Sequence, residues 1–545
     1  MRKIVFTLML GALAVALVAG RRAAAIADDG QECQFVPGSL VLSRSVYAGN
    51  SSSVVVGQTL PPNCVPGTVT IPLLAGGTTT VTIPAASSSG CNTAVADGTY
   101  PTVFNNDSAD GSFGITSPIF LDNITTDGRL INTLPVPTHL LVTSFSSKSE
   151  LAVHRSTDGR SITFVGYRGG AGFVTAPNQL DISNSNTPGV VDPSNPVSSQ
   201  YYRAVAEVDG DGHIMVTEGN AYSGNNGRAA IKANSLYYLT GNNNNGGLSK
   251  SQLPTTQVGV DLVNSTGVEL LVPGQTPPLP PDITMIGRFS VTSLGYPADK
   301  PGKDNNFRGV TIFNNTLYVT KGSGGNGINT VYLVGTPGVL PTGDAATLQS
   351  VPITVLPGFP TTLASSTTSP IAYPFGIWFA NANTLYVCDE GDGTLVSPPV
   401  NGNVATPLAQ ATAGLQKWIL SNGTWQRAYI LQNGLNIGVP YGVPNYSSAL
   451  NPATDGCRNL TGRVNSDGTV TLWAVTSTVS ASGDQGADPN KLVRVTDRLS
   501  ATTLPGGESE DDTRLGKFQT VRSARSGEVL RGVDFAPARG TSDDE

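Results

Sequence analysis

Charge is scarce in this chain. Only 13% of its 545 residues are Asp, Glu, Lys or Arg, about half of the roughly 25% usual in soluble domains. The net charge is -7, and no run of Lys and Arg stands out. That excludes the basic face nucleic acid requires, so no nucleic-acid partner is expected. His139, His154 and His213 are the only histidines, and no cluster of paired imidazole ligands with Tyr stands out. No CxxC or His/Cys cluster gives a zinc pattern. There is no Gly-x-Ser-x-Gly elbow and no phosphate-binding loop. The GSGGNG stretch at 322–327 follows a strand-like run and opens no helix, which makes it a loop.

Long apolar runs are also missing, with one exception at the start. Arg2 and Lys3 precede an apolar stretch from Ile4 to Gly20, and Ala25-Ile26-Ala27 follows. This is the pattern of a cleaved secretory signal over residues 1–27. No later run reaches 18 apolar residues, and an acidic tail at 541–545 is no lipid-anchor signal. The expected compartment is extracellular, with no stable membrane anchor. Secretion permits disulfides. Of the five cysteines, Cys64 and Cys91 share one loop-like segment and are the expected pair; Cys33, Cys388 and Cys457 stay unassigned. Glycosylation sequons stand at Asn50, Asn106, Asn123, Asn264, Asn314, Asn422, Asn445 and Asn459.

What the chain has instead is 63 Gly, 38 Pro and a recurring unit. PFGIWFANANTLYVCDEGDG, from Pro374, reads as an apolar strand, a turn rich in Asn, and a second strand. NFRGVTIFNNTLYVTKGSGG from Asn306 repeats the layout, as do GRAAIKANSLYYLTG from Gly227, LTGRVNSDGTVTLWAVTS from Leu460 and ELAVHRSTDGRSITFVGYRGG from Glu150. LRGVDFAP from Leu530 supplies only a first strand. First strands thus begin near 150, 228, 308, 375, 460 and 531, and further strand-like runs fill each interval. About four strands per unit make a propeller blade, and stacking in a ring buries both faces of each blade. The fold expected is all-β: a six-bladed β-propeller over 28–540, with seven blades as the alternative if 241–305 hides one more. The C-terminal strand would close the ring by pairing with N-terminal strands in GSLVLSRSV, PIFLDNIT and GRLINTLPVP. A low-complexity stretch at about 48–117 reads as a loop insertion.

The unit resembles a blade of the NHL-repeat and gluconolactonase-like six-bladed propellers, in which P-x-G-[IV] opens the inner strand and L-Y-V-x-D ends the second. Pro374, Gly376, Ile377, Leu385, Tyr386, Val387 and Asp389 fit that pattern. Over residues 36–537 the chain is similar to an uncharacterised group of secreted propellers, through LRGVDFAP and the Gly414–Trp418 segment. The resemblance implies a fold and a compartment but no activity.

Aligning first strands places Arg228, Arg308 and Arg531 at one position, with Glu150, Phe375 and roughly Leu460 at the matching places of the other blades. Three guanidiniums around one channel mouth suit a carboxylate, sulfate or phosphate, and Phe375 could stack on a sugar. The alternative is that these arginines plug the channel, paired with Glu150 and backbone carbonyls. Asp389, Glu390 and Asp392 form an acidic group that suggests Ca2+ as a cofactor. Asp209 and Asp211 in VDGDGH read as the same or as turn residues. Asp158 and Asp467 resemble the structural turns of Asp boxes. His154 is a packed residue or a channel-facing base; the sequence assigns no catalytic residue. Three functions remain open: a non-enzymatic binder of a small anionic or sugar-like ligand at the channel mouth, a calcium-assisted lactonase-like hydrolase, or an extracellular scaffold that contacts other proteins.

Overall fold

A computed structural model of the protein describes residues 34–47, 116–145, 150–168, 201–242, 267–275, 306–322, 327–367, 371–393, 412–480, 488–505 and 515–539, with short pieces at 59–60, 67–72, 78–83, 92–93, 187–188, 286–287 and 486. The expected signal segment 1–27, the tail 541–545 and the Cys64–Cys91 pair lie outside them.

Six antiparallel sheets stand in a ring, and the protein is a six-bladed β-propeller. The second blade comprises Gly227–Ala233, Leu236–Gly241 and Val268–Leu271; the third, Phe307–Phe313, Thr316–Lys321, Thr330–Val334 and Ile353–Val355. The fourth runs from Pro374–Asn381 through Thr384–Asp389 and Gly414–Ser421 to Thr424–Leu431. The fifth runs from Ala453–Val464 through Thr469–Val479 and Lys491–Arg498 to Gln519–Ser523. In the first blade Ser161–Arg168 pairs with two short inner pieces, Leu141–Ser144 and His154–Arg155, and outward with Arg203–Asp209 and then Ile214–Gly219. Val268–Leu271 is the third strand of the second blade rather than part of a seventh.

The ring closes as the sequence suggests. Glu528–Phe535 is the inner strand of the sixth blade and pairs with Leu40–Val46, followed by Ile119–Ile124 and Leu130–Pro135. One blade thus joins strands from both ends of the described residues and closes the ring between the fifth blade and the first. Within the 48–117 stretch, Gly67–Pro72 and Thr78–Ile83 form a hairpin, and Thr116–Ser117 joins the first blade.

Local chemistry explains the hairpins. Phe313 pairs with Thr316 across Asn314 (φ 47) and Asn315 (φ 54), and Ser421 pairs with Thr424 across Asn422 (φ 50) and Gly423 (φ 77). Such two-residue turns need positive φ at both positions, which Asn and Gly tolerate best. The Asp158 carboxylate accepts from Ser156 Oγ and Arg160 N, and Asp467 accepts from Thr469 N and Oγ1, so both are turn residues. Between blades the apolar side chains form clusters, one for each of the six junctions. Phe359 on Trp418, at 3.9 Å between ring centroids, fills the junction of the third and fourth blades. Each such large side chain contributes about 1.5–3 kcal/mol on burial. Cys388 and Cys457 form a disulfide linking the second strand of the fourth blade to the inner strand of the fifth.

Burial sorts the sequons. Asn123 and Asn459 are buried, and Asn459 Oδ1 accepts from Val533 N; Asn314, Asn422 and Asn445 are exposed. No helix among the described residues is long and apolar enough to cross a membrane.

Candidate functional site: a guanidinium ring in the channel

An inner strand has only one neighbour in its own sheet, so its other edge faces the axis. Successive inner strands approach closely. A Cβ on Gly309 would stand 2.0 Å from the Phe375 carbonyl oxygen, and one on Gly376 2.5 Å from that of Arg458. Only glycine fits such approaches, which is why a residue-Gly pair recurs at the start of these strands. A hydroxyl of one blade's second strand then donates to the carbonyl of the residue before that small residue in the next blade. Thr240 Oγ1 bonds Arg308 O (3.2 Å), Thr320 Oγ1 bonds Phe375 O (2.5 Å) and Ser43 Oγ bonds Leu151 O (2.6 Å). Ala152 bridges Ala229 in parallel, which sets Leu151 level with Arg228. The residues at one level are therefore Leu151, Arg228, Arg308, Phe375, Arg458 and Arg531.

Two positions differ from the sequence alignment. Leu151, at φ 65, takes the place expected for Glu150, since the bridge of Ala152 to Ala229 sets it level with Arg228. Arg458 takes the place expected near Leu460, because the fifth inner strand shifts register between Cys457 and Leu460. The structure thus brings four guanidiniums together. A one-residue slip exchanges faces in a strand, and nothing local in DGCRNLTG marks the bulge.

Glu150 nonetheless belongs to the same group of charges. Its carboxylate accepts from Tyr167 Oη, Thr143 Oγ1 (2.9 Å) and Ser144 N (3.4 Å). Burial pushes its pKa up, and its hydrogen bonds and the Arg531 charge pull it down. Arg531 donates from Nε to Ser45 Oγ (3.0 Å) and from Nη2 to Phe145 O. Arg458 Nε pairs with Glu390 Oε2 at 3.0 Å. Arg308 lies over the Phe375 ring, 5.8 Å from its centroid, and feels Glu390 and Arg458. Arg228 is different. It is 4% exposed, and its Nε has no hydrogen-bond partner among the described residues. Burial and the like charge of Arg308 lower its pKa, while Glu150 and Glu390 raise it.

Beside the ring lies an acidic shoulder that the sequence reading assigned to metal. Asp389 is fully buried and accepts from Tyr373 N, Gly391 N and Gln416 Nε2. Glu390 is held by Arg458, and Asp455, absent from the sequence reading, accepts from Gly393 N. Among the described residues, the three groups whose ligand atoms converge are instead Asp209, Asp211 and His213, partly or fully exposed. There Asp209 already accepts from Asp211 N and His213 N, as a turn residue does. The Asp389, Glu390 and Asp392 carboxylates are not grouped in that way among the described residues.

The shoulder sets a pH dependence. Burial, foremost, pushes Asp389 and Asp455 each up to about 7. The folded state then keeps protons that the unfolded chain releases near pH 4. These two groups favour folding on the acid side, and that contribution is lost as pH rises from about 4 to 7. Burial lowers His154 to about 4, which acts in the opposite sense between about 4 and 6.5. Urea denaturation across pH 4 to 8 should show a smaller loss of stability toward neutrality in Asp455→Asn than in the parent protein. Parallel curves would mean that Asp455 is ionised throughout.

No family model matches the chain, and no curated protein does. The likeness to NHL-repeat and gluconolactonase propellers therefore stays one of blade motifs. Among solved structures, the chain is similar to the hemagglutinin-neuraminidase ectodomain of parainfluenza virus 5, at 9% identity over 90% of this chain and 84% of that one, with a TM-score of 0.29. It is also similar to an apocarotenoid oxygenase of Synechocystis (9% identity, 87% of this chain, 64% of that one, TM-score 0.22). An acylaminoacyl peptidase of Pyrococcus horikoshii gives 7% identity, 85% of this chain, 51% of that one and a TM-score of 0.27. Overlaps at these scores carry no function to this chain.

Proposed function

We propose that this propeller is a secreted, non-enzymatic binding protein that holds a small anion at the guanidinium ring of its channel. The observation that carries this reading is Arg228: a buried guanidinium with an unpartnered Nε, facing a second guanidinium. A buried donor left without a partner is costly, and an anion seated between Arg228 and Arg308 would satisfy it and offset the repulsion of the two guanidiniums. Guanidinium offers donors in a fixed fork that matches carboxylate, sulfate or phosphate. It does not exchange its proton readily, so the ring suits binding better than proton transfer. The tight burial of all four arginines, each 7% exposed or less, limits the ligand to a small anion or one carboxylate arm of a larger molecule.

Isothermal titration with sulfate, phosphate and acetate tests this. One of these anions should bind the parent protein and raise its melting temperature by mass action. Arg228→Gln should weaken that binding by at least tenfold, the loss of about 1.5–3 kcal/mol expected for a charge-assisted hydrogen bond. No binding of any of the three, or equal affinity in Arg228→Gln, overturns the assignment.

A further inference from the structure

A second space lies farther along the inner strands, about three residues beyond the guanidinium ring. A cavity of about 220 Å³ is lined by one or more residues of every blade, including His154, Ile231, Thr311, Trp378, Thr461 and Asp534. A single buried water needs only roughly 10–15 Å³, so the space admits a small organic molecule. His154 is 7% exposed, and its Nε2 has no hydrogen-bond partner among the described residues. A buried imidazole nitrogen left in that state is costly, unless a group in the cavity meets it.

The lining defines the chemistry of that group. Asp534 is engaged as an acceptor: Oδ1 takes Thr461 Oγ1 (2.7 Å) and Phe535 N, and Oδ2 takes Arg155 N (2.7 Å). The Arg155 guanidinium, also at the cavity, turns to Gly159 O. One anion and one cation leave the chamber without net charge, unlike the guanidinium ring. Thr157, Thr311 and Thr461 bring hydroxyl-bearing side chains to the lining, the Thr461 hydroxyl donating to Asp534, and Trp378 and Ile377 bring apolar ones. A neutral molecule with hydroxyls around its rim and a C–H face satisfies both kinds of surface.

We propose that this chamber binds a neutral monosaccharide or cyclic polyol, hydrogen-bonded to His154 Nε2 and the threonine hydroxyls and packed by its C–H face on Trp378. This assignment stands apart from the anion reading of the ring.

Tryptophan fluorescence reports on it directly. Trp418, Trp425 and Trp473 are buried, whereas Trp378 is partly exposed, so acrylamide quenching of the folded protein reads mainly Trp378. Glucose, galactose, mannose, N-acetylglucosamine and myo-inositol are titrated against the full chain, with linked oligosaccharides alongside. At least one free ligand should protect Trp378 from acrylamide in a saturable way. His154→Phe and Thr311→Val, each removing one polar partner, should weaken that protection by roughly five- to tenfold. Arg228→Gln should leave it unchanged. Protection by oligosaccharides as well identifies a chain end as the bound unit and supports the same site. No saturable protection by any of these compounds means the chamber holds water only and overturns the proposal. Equal affinity in both variants places the binding elsewhere and overturns it too.

Discussion

Asp497→Leu should cost the fold about 3–5 kcal/mol, the loss expected when one member of a buried ion pair is removed. Asp497 and Lys417 are wholly buried, with Lys417 Nζ 3.1 Å from Asp497 Oδ2. Asp497 also accepts from Tyr386 Oη (2.6 Å) and Tyr429 Oη (2.8 Å), which ties the fourth blade to the fifth. Its charge, after burial itself, raises both phenols. Burial lowers the pKa of Lys417, and Asp497 holds it up. Without Asp497 the ammonium keeps, among the described residues, Tyr429 Oη, the carbonyls of Arg498 and Leu499 and the faces of the Tyr386 and Tyr429 rings, none of them charged. Lys417→Met should cost less, because the carboxylate would keep its two phenol donors. The double variant Lys417→Met/Asp497→Leu should recover much of the loss, since a well-packed apolar pair often replaces a buried ion pair without penalty. Urea denaturation of the three variants forms the cycle. Strictly additive losses would show that the two charges do not depend on each other.

The second large effect is expected at the Cys388–Cys457 disulfide. The bond closes a chain separation of 69 residues, and the chain-entropy relation for a loop of that size gives about 4 kcal/mol. Cys388→Ala/Cys457→Ala should lose stability of that order in chemical denaturation. Both cysteines are fully buried, so the folded parent protein should resist mild reductant, and the loss should appear only after unfolding and refolding under reducing conditions. The double variant should be indifferent to reductant throughout. A parent protein that weakens at once on adding reductant would show that the bond opens in the folded state.

The disulfide also illustrates what sequence reading misses. Cys64 and Cys91 share a segment, and nearness in the chain made them the expected pair; their segment lies outside the described residues. Cys388 and Cys457 sit on different blades, and only the stacking of the fourth blade on the fifth brings their Cα atoms to 5.2 Å. The same holds for Arg458. Its neighbours in the chain give no hint of the register shift that sets it level with Arg228, Arg308 and Arg531. For His154 the sequence leaves a packed and a channel-facing place open. Its unpartnered nitrogen and its chamber depend on residues from all six blades.

By itself, the sequence determined the blades. Short apolar strands, turns of Asn and Gly with positive φ, and a residue-Gly pair at each of several inner strands are local signals. A recurring local signal is enough to specify a recurring sheet. It also determined how the ring closes, because an unpaired last strand and three N-terminal strands leave one arrangement without open edges. The tertiary structure alone decided what the channel contains. Which side chain of each inner strand stands at a given level depends on bulges and one left-handed residue, and these shift register by one or two positions without altering the strand pattern. Burial followed from that register: it set four arginines around one level, pushed two aspartates up to about 7, and enclosed the chamber beyond them.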